Sequence, residues 1–161
     1  MWKTGHSFLR KKLKEEGAEL AGDLSGHIFF GERWYGFDDA MYAAARLLDI
    51  LMGIKMSPGE ILAKLPTGLG TPELRVELEE GEHLRFMEAF FQIASFPEAN
   101  VSTIDGVRAD FPDGWGLVRA SNTTPALTLR FEAHNAEALA RIQAQFKALI
   151  GEVNPSIELP F

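Results

Sequence analysis

The sequence predicts an α+β fold: a C-terminal antiparallel sheet with helices packed on one face, preceded by a partial α/β domain. Three observations carry this. Two segments, "TPELRVELEE" and "ALTLRFEA", alternate apolar and polar residues with the period of two that marks a half-buried strand. Two others, "EHLRFMEAFFQIA" and "NAEALARIQAQFKALIG", repeat their apolar residues at helical spacing. Strands adjacent in sequence with helices set among them build an antiparallel sheet with one helix-covered face. Third, the composition shifts at "PTGLGTP", residues 66–72, where two prolines and two glycines in seven residues read as a linker between domains 1–65 and 73–161.

Taken in order, "SFLRKKLKEEG" is a short amphipathic helix with Phe8, Leu9 and Leu13 on one side and Gly17 closing it. "AELAGDLSGHIFF" is two extended segments around a glycine-punctuated loop. "FDDAMYAAARLLDILMG" is a helix that Asp38 or Asp39 can cap and Gly53 ends; its apolar residues run almost all round, which predicts burial on more than one face. Ser57 caps a further short helix with Pro58 in its first turn. This N-terminal part reads as a piece of an α/β domain short of strands to cover its long helix. Beyond the linker come the strand at Leu74, Val76 and Leu78, a helix with Leu84, Met87, Phe90 and Phe91 inward, and a meander through "STIDGVRADFPDGWGLVRAS". "ALTLRFEA" follows, then a helix with Leu139, Ile142, Phe146 and Leu149 inward, and a closing strand "SIELPF".

Sixteen Lys and Arg stand against 23 Asp and Glu, a net charge of −7. Nucleic-acid and membrane-surface binders need clustered positive charge, so neither partner is expected. There is no cysteine, which removes disulfides, thiolate zinc sites and a cysteine nucleophile. No apolar run reaches the length of a membrane span and the N-terminus has no apolar signal core, which together point to a soluble, cytoplasmic chain.

Three polar clusters carry the chemistry. In "RASNTTP" the guanidinium of Arg119 is a fork suited to two phosphate oxygens, and Ser121, Asn122, Thr123 and Thr124 add neutral donors; the same residues also make an ordinary polar turn. In "GDLSGH", Asp23, Ser25 and His27 recur at spacing two, so an extended backbone would turn all three to one side, as suits sugar hydroxyls; a solvated glycine-rich turn is the alternative. In "KTGH", Lys3 and His6 stand before a helix N-terminus, where an anion can sit; a solvated N-terminal segment is the alternative. His6 and His27 find no third ligand at a spacing that would mark a metal site.

The ordered set "KTGH", "GDLSGH" and "RASNT", within "WKTGHSFLRKKLKEEGAELAGDLSGHIFFGERWYGFDDAMYAAARLLDIL" and "DGVRADFPDGWGLVRASNTTPALTLRFEA", resembles the C-terminal portion of bacterial phosphomannomutase/phosphoglucomutase, in the α-D-phosphohexomutase superfamily. The resemblance covers nearly the whole chain. It implies part of the third, sugar-reading domain followed by the fourth, phosphate-binding domain of an enzyme that interconverts hexose 1- and 6-phosphates through glucose or mannose 1,6-bisphosphate. It places sugar contacts on His6, Asp23, Ser25 and His27 and the grip on the non-reacting phosphate on Arg119, Ser121, Asn122, Thr123 and Thr124. Where the family has Glu this chain has Asp23, one methylene shorter, so its reach to a sugar hydroxyl runs through a water. The family's phosphoserine loop and D-x-D-G-D magnesium loop are not in this sequence, so the chain is expected to bind a phosphorylated hexose without turning it over, with Mg2+ belonging to the full-length enzyme. Its apolar N-terminal surface then meets either missing N-terminal domains or a second copy. The alternative function is a stand-alone, non-catalytic phosphosugar-binding module.

Overall fold

The computed structural model of the chain describes residues 1–65 and 67–161. Pro66, the first residue of the expected linker, lies outside the described residues. Residues 1–65 and Thr67–Phe161 form two compact units.

The first unit runs α1 (His6–Glu16), β1 (Leu20–Gly22), β2 (Ile28–Phe30), α2 (Ala40–Gly53) and α3 (Pro58–Leu62). Of the apolar side of α1, Leu13 is buried, Leu9 half-buried and Phe8 exposed, and the helix ends where Gly17 adopts the left-handed cap. β1 and β2 form an antiparallel hairpin with Ala21 opposite Phe29, and Phe29 is fully buried. Asp39 caps α2, its Oδ1 accepting from the Tyr42 N–H at 2.9 Å, and Ser57 and Glu60 form a reciprocal capping box on α3. The expected burial of α2 on more than one face is not found. None of its residues is buried, and Met41 and Met52 are 85% and 87% exposed. The hairpin reaches only the stripe carrying Tyr42 and Arg46, both packed on Phe30.

The second unit runs β3 (Leu69–Gly70), β4 (Leu74–Glu77), α4 (Glu82–Ile93), β5 (Asn100–Ser102), β6 (Val107–Phe111), β7 (Gly114–Ala120), β8 (Ala126–Ala133) and α5 (Ala136–Val153). Its six strands form one sheet in the order β3-β8-β7-β6-β5, with β4 also on β8, and every pairing is antiparallel. Part of the segment read as a linker is therefore sheet edge: Leu69 and Gly70 pair with Ala133 and Glu132, and the Thr71 N–H donates to the Phe131 carbonyl at 2.9 Å.

Alternation decides which face is covered. Val107, Ala109 and Phe111 of β6, Val118 of β7, and Leu127, Leu129 and Phe131 of β8 are buried with Phe86, Met87 and Phe90 of α4 and Ile142, Phe146 and Ile150 of α5. Gly116 lets α5 approach, since a Cβ there would strike the Phe146 ring. The inward stripe of α4 is His83, Phe86, Met87 and Phe90, one position earlier than expected, and Leu84 and Phe91 are exposed. In α5 the stripe is Ala138, Ile142, Phe146 and Ile150, with Leu139 and Leu149 only partly buried at its edges. The tail "SIELPF" is not a strand; it is anchored by apolar contacts of Ile157, Leu159 and Phe161 with the core.

Phe146 touches the rings of Phe96 and Phe131 at 4.4 and 5.3 Å and is fully buried. Phe146→Ala is expected to destabilise the second unit by about 3–5 kcal/mol, measured by urea unfolding, whereas Met52→Ala on the exposed side of α2 stays within about 0.5 kcal/mol of the parent.

Candidate functional site

Each unit presents one polar loop at the end of a strand pair. In the first, β1 and β2 are joined by a tight turn, not by extended backbone. The Asp23 N–H donates to the His27 carbonyl at 3.1 Å and the Gly26 N–H to the Asp23 carbonyl at 3.2 Å. Asp23 and His27 therefore face each other because the chain reverses between them, and the expected spacing-two alignment does not apply. The Asp23 carboxylate accepts from the His27 backbone N–H at 3.2 Å through Oδ1 and contacts the His27 Nδ1 at 2.9 Å through Oδ2. Ser25 lies exposed within the turn. His6 joins the group from the start of α1, its ring centroid 6.5 Å from that of His27 and 5.1 Å from that of Phe29. The structure thus brings His6, Asp23 and His27 together, with Ser25 in the turn between the last two.

Sequence reasoning considered Asp38 only as a helix cap, but the cap is Asp39. Asp38 Oδ1 accepts from the Ile28 N–H at 3.1 Å, and its Oδ2 lies 3.9 Å from His27 Nε2. The imidazole is consequently bracketed by two carboxylates. The hydrogen bond and charge of Asp23, aided by the charge of Asp38 and opposed by partial burial, raise the His27 pKa above its ordinary 6.5. For Asp23, burial pushes upward, but the ring and backbone hydrogen bonds from His27, its charge and a Ser25 backbone bond outweigh it and hold the carboxyl below its ordinary 3.8. The loop thus presents an imidazole oriented by Asp23 and made more basic by it. Asp23 itself is occupied with His27 and acts as a positioning residue.

In the second unit Arg119 stands at the end of β7, where the ladder runs out at Ala120 opposite Leu127. The Ser121 N–H still donates to the Ala126 carbonyl at 2.8 Å, and residues 121–125 form the loop. Its hydroxyls bond one another: Ser121 Oγ lies 3.0 Å from Thr124 Oγ1 and 3.4 Å from Thr123 Oγ1, and the Thr123 N–H donates to Ser121 Oγ at 3.4 Å. Arg119 Nη1 donates to the Ala120 carbonyl at 3.5 Å. Asn122 is exposed. One guanidinium, three hydroxyls, an amide and loop N–H groups outside the ladder are a donor set for an anion with several oxygens. A cavity of about 310 Å³ opens beside it, lined by Leu84, Met87, Phe91, Gly106, Arg119 and Asn122, which is where the two outward apolar residues of α4 point.

Two further residues support this loop. Gly106, with φ +78°, turns β5 into β6 so close to β7 that a Cβ would meet the Val118 carbonyl and Arg119. Arg75 of β4 donates from Nη2 to Thr124 Oγ1. Neither was singled out from sequence: the Gly in "DGV" is a visible turn signal, whereas the Arg75 contact depends on strand register. Among the described residues no group of three or more His, Cys, Asp or Glu is arranged to hold a metal ion, and no helix is long and apolar enough to cross a membrane.

The family model for phosphoglucomutase/phosphomannomutase, C-terminal domain, matches residues 73–149, and that for phosphoglucomutase/phosphomannomutase, alpha/beta/alpha domain III, matches residues 1–68. The chain belongs to the phosphoglucomutase/phosphomannomutase family. It is 50% identical over all 161 residues to a phosphomannomutase/phosphoglucomutase of Pseudomonas aeruginosa, covering 35% of that relative. It is 52% identical over 162 aligned positions to a phosphoglucomutase of Neisseria gonorrhoeae, covering 99% of this chain and 35% of the relative. A crystal structure of a phosphoglucomutase/phosphomannomutase family protein from Burkholderia thailandensis superposes with a TM-score of 0.91 at 48% identity, over 100% of this chain and 34% of that one. The chain spans 35% of the length of these curated relatives.

Because folding raises the His27 pKa, its contribution to stability is full below pH 6.5 and is lost as pH rises through the folded value. Asp23 contributes above pH 3.8 and loses its share as pH falls through its lowered folded value. NMR titration of the His27 ring protons is expected to give a midpoint above 6.5, and Asp23→Asn to bring it down; an unchanged midpoint in the variant would contradict the pairing. Gly106→Ala forces a left-handed alanine, a cost of at least about 1–2 kcal/mol, and is expected to lower the thermal midpoint and shift the amide signals of Arg119 and Ala120.

Proposed function

We propose that this chain is the sugar-reading and phosphate-gripping part of a hexose-phosphate mutase, an intramolecular phosphotransferase that interconverts the 1- and 6-phosphates of glucose or mannose through a bisphosphorylated sugar. Residues 1–65 contact the sugar hydroxyls through His6, Asp23, Ser25 and His27, with Asp23 acting by holding the imidazole. Residues 73–161 hold the phosphate that is not reacting through Arg119, Ser121, Asn122, Thr123 and Thr124, and segment 66–72 joins the two. The observation that carries the reading is the loop 121–125, which follows the arginine at the end of β7 and gathers three hydroxyls, with Ser121 Oγ within 3.4 Å of both Thr123 Oγ1 and Thr124 Oγ1. Such donors serve a phosphate that must stay put while another phosphate reacts.

Phosphoryl transfer depends on positioning and on neutralising charge at the reacting phosphorus. The donor set of this chain does the first for the non-reacting end. On this reading the phosphoserine and the Mg2+ loop belong to parts of the full-length enzyme outside this chain; among the described residues no group of three or more His, Cys, Asp or Glu is arranged to hold a metal ion. The working partner is a cytoplasmic phosphorylated hexose, not nucleic acid or membrane.

Titration of the 161-residue chain with glucose 1-phosphate, followed by NMR, is expected to shift amides between Arg119 and Thr124. Arg119→Ala removes charge-assisted bonds worth about 1.5–3 kcal/mol, so Kd should rise about ten- to a hundredfold. Loss of binding without any amide shift in residues 119–124 of the parent would place the grip elsewhere. Metal-dependent conversion of glucose 1-phosphate by the purified chain would overturn the assignment of catalysis to residues outside it.

A further inference from the structure

Arg75 belongs to none of the three motifs, yet the sheet delivers it to the phosphate loop. It pairs across β4–β8 with Thr128, and Thr128 pairs on its other side with Arg119 of β7. Residues directly opposite in an antiparallel ladder project to the same face. Arg75, Thr128 and Arg119 therefore form one row, with the two arginine backbones two strand spacings, about 10 Å, apart. That separation lets two extended guanidinium side chains converge on one small anion. Arg75 Nη2 donates to Thr124 Oγ1, which in turn bonds Ser121 Oγ, so the side chain reaches into the hydroxyl cluster. Its Nε is bonded to Glu77, and with 44% of the side chain exposed this ion pair is solvated and weak.

We propose that Arg75 is a second guanidinium of this phosphate site, so that the loop holds a dianionic phosphate monoester between Arg75 and Arg119. The proposal rests on the phosphate-grip reading above and adds a residue and a charge state to it. A phosphate monoester carries about −1.5 to −2 charges near pH 7. A single arginine leaves about half of that unanswered, and a chain of net charge −7 offers no general positive field to make up the difference. Two arginines match it. Glu77 then has a defined part: it is the counter-ion of Arg75 while the loop is empty, and an incoming phosphate takes its place. Nε and Nη2 carry the present bonds, so Nε becomes open to the ligand when Glu77 leaves and Nη1 is a further donor beside it.

The test is calorimetric titration of the 161-residue chain with glucose 1-phosphate at pH 8, for the parent and for Arg75→Gln, Arg75→Lys, Glu77→Gln and Thr124→Val, with amide spectra recorded to show that each variant keeps its fold. Arg75→Gln is expected to raise Kd about tenfold, in line with loss of a charge-assisted bond. Arg75→Lys should recover part of that loss. Glu77→Gln should lower Kd about two- to threefold by removing the competing carboxylate. A parent that binds at residues 119–124 while Arg75→Gln binds equally well would overturn the role of Arg75 and leave the grip intact. A parent that does not bind would overturn both. Equal losses in Arg75→Gln, Arg75→Lys and Thr124→Val, without tightening in Glu77→Gln, would mean that Arg75 only orders the loop, which overturns the direct contact.

Discussion

Seven consecutive residue pairs, from Gly114 opposite Ala133 to Ala120 opposite Leu127, fasten β7 to β8, and the position of every residue of loop 121–125 follows from where that ladder sits and where it stops. A slip of one residue would exchange the faces of the whole strand. It would carry Val118 into water and drive the Arg119 guanidinium into the space now filled by Phe90, Phe131 and Phe146. Burial of Val118, Leu127, Leu129 and Phe131 therefore fixes the register, and the register in turn fixes Arg119, Thr128 and Arg75 on the opposite face. The core pays for the geometry of the site. Gly116 belongs to the same constraint, because it admits Phe146 against the strand that ends in Arg119.

The charge balance of the chain is met locally. An acidic surface repels phosphate at long range, but screening limits that repulsion to about 8–10 Å at ordinary salt. Within that distance the loop offers guanidinium and hydroxyl donors, and the hairpin offers an imidazole made more basic by Asp23 and Asp38. Arg119 and His27 each stand at the end of a strand, where the ladder fixes the Cα.

What was legible in the sequence follows from the range of the interactions involved. The alternating strands, the caps at Asp39 and Ser57 and the hydroxyl loop are local patterns, and local backbone preference alone generates them. The inward face of α4 was displaced by one position because Leu84 and Phe91 fit a helical stripe as well as His83 and Phe86 do; the sheet it packs on makes the choice. The breadth of the apolar pattern on α2 suggested burial, but burial requires a partner surface, and the hairpin covers one stripe of it. The turn at Gly26 brought Asp23 and His27 together by a route that a count of residues does not reveal. Arg75 and Thr124 are 49 residues apart in sequence, and only the β4–β8 register joins them.

The two loops are held in ways suited to different tasks. In the hairpin, Asp23 has both oxygens on His27, one on the ring and one on the backbone N–H. That loop is preorganised, so on the proposed reading a ligand would meet the ring as it already stands. The loop 121–125 is closed by two hydroxyl–hydroxyl contacts of 3.0 and 3.4 Å and a backbone N–H to hydroxyl contact of 3.4 Å, at or beyond the long end of the hydrogen-bond range, where such bonds are weak. On the proposed reading, a phosphate would replace them with shorter, charge-assisted bonds from the same hydroxyls and from the guanidinium. The contacts among the hydroxyls keep these donors gathered at the end of β7.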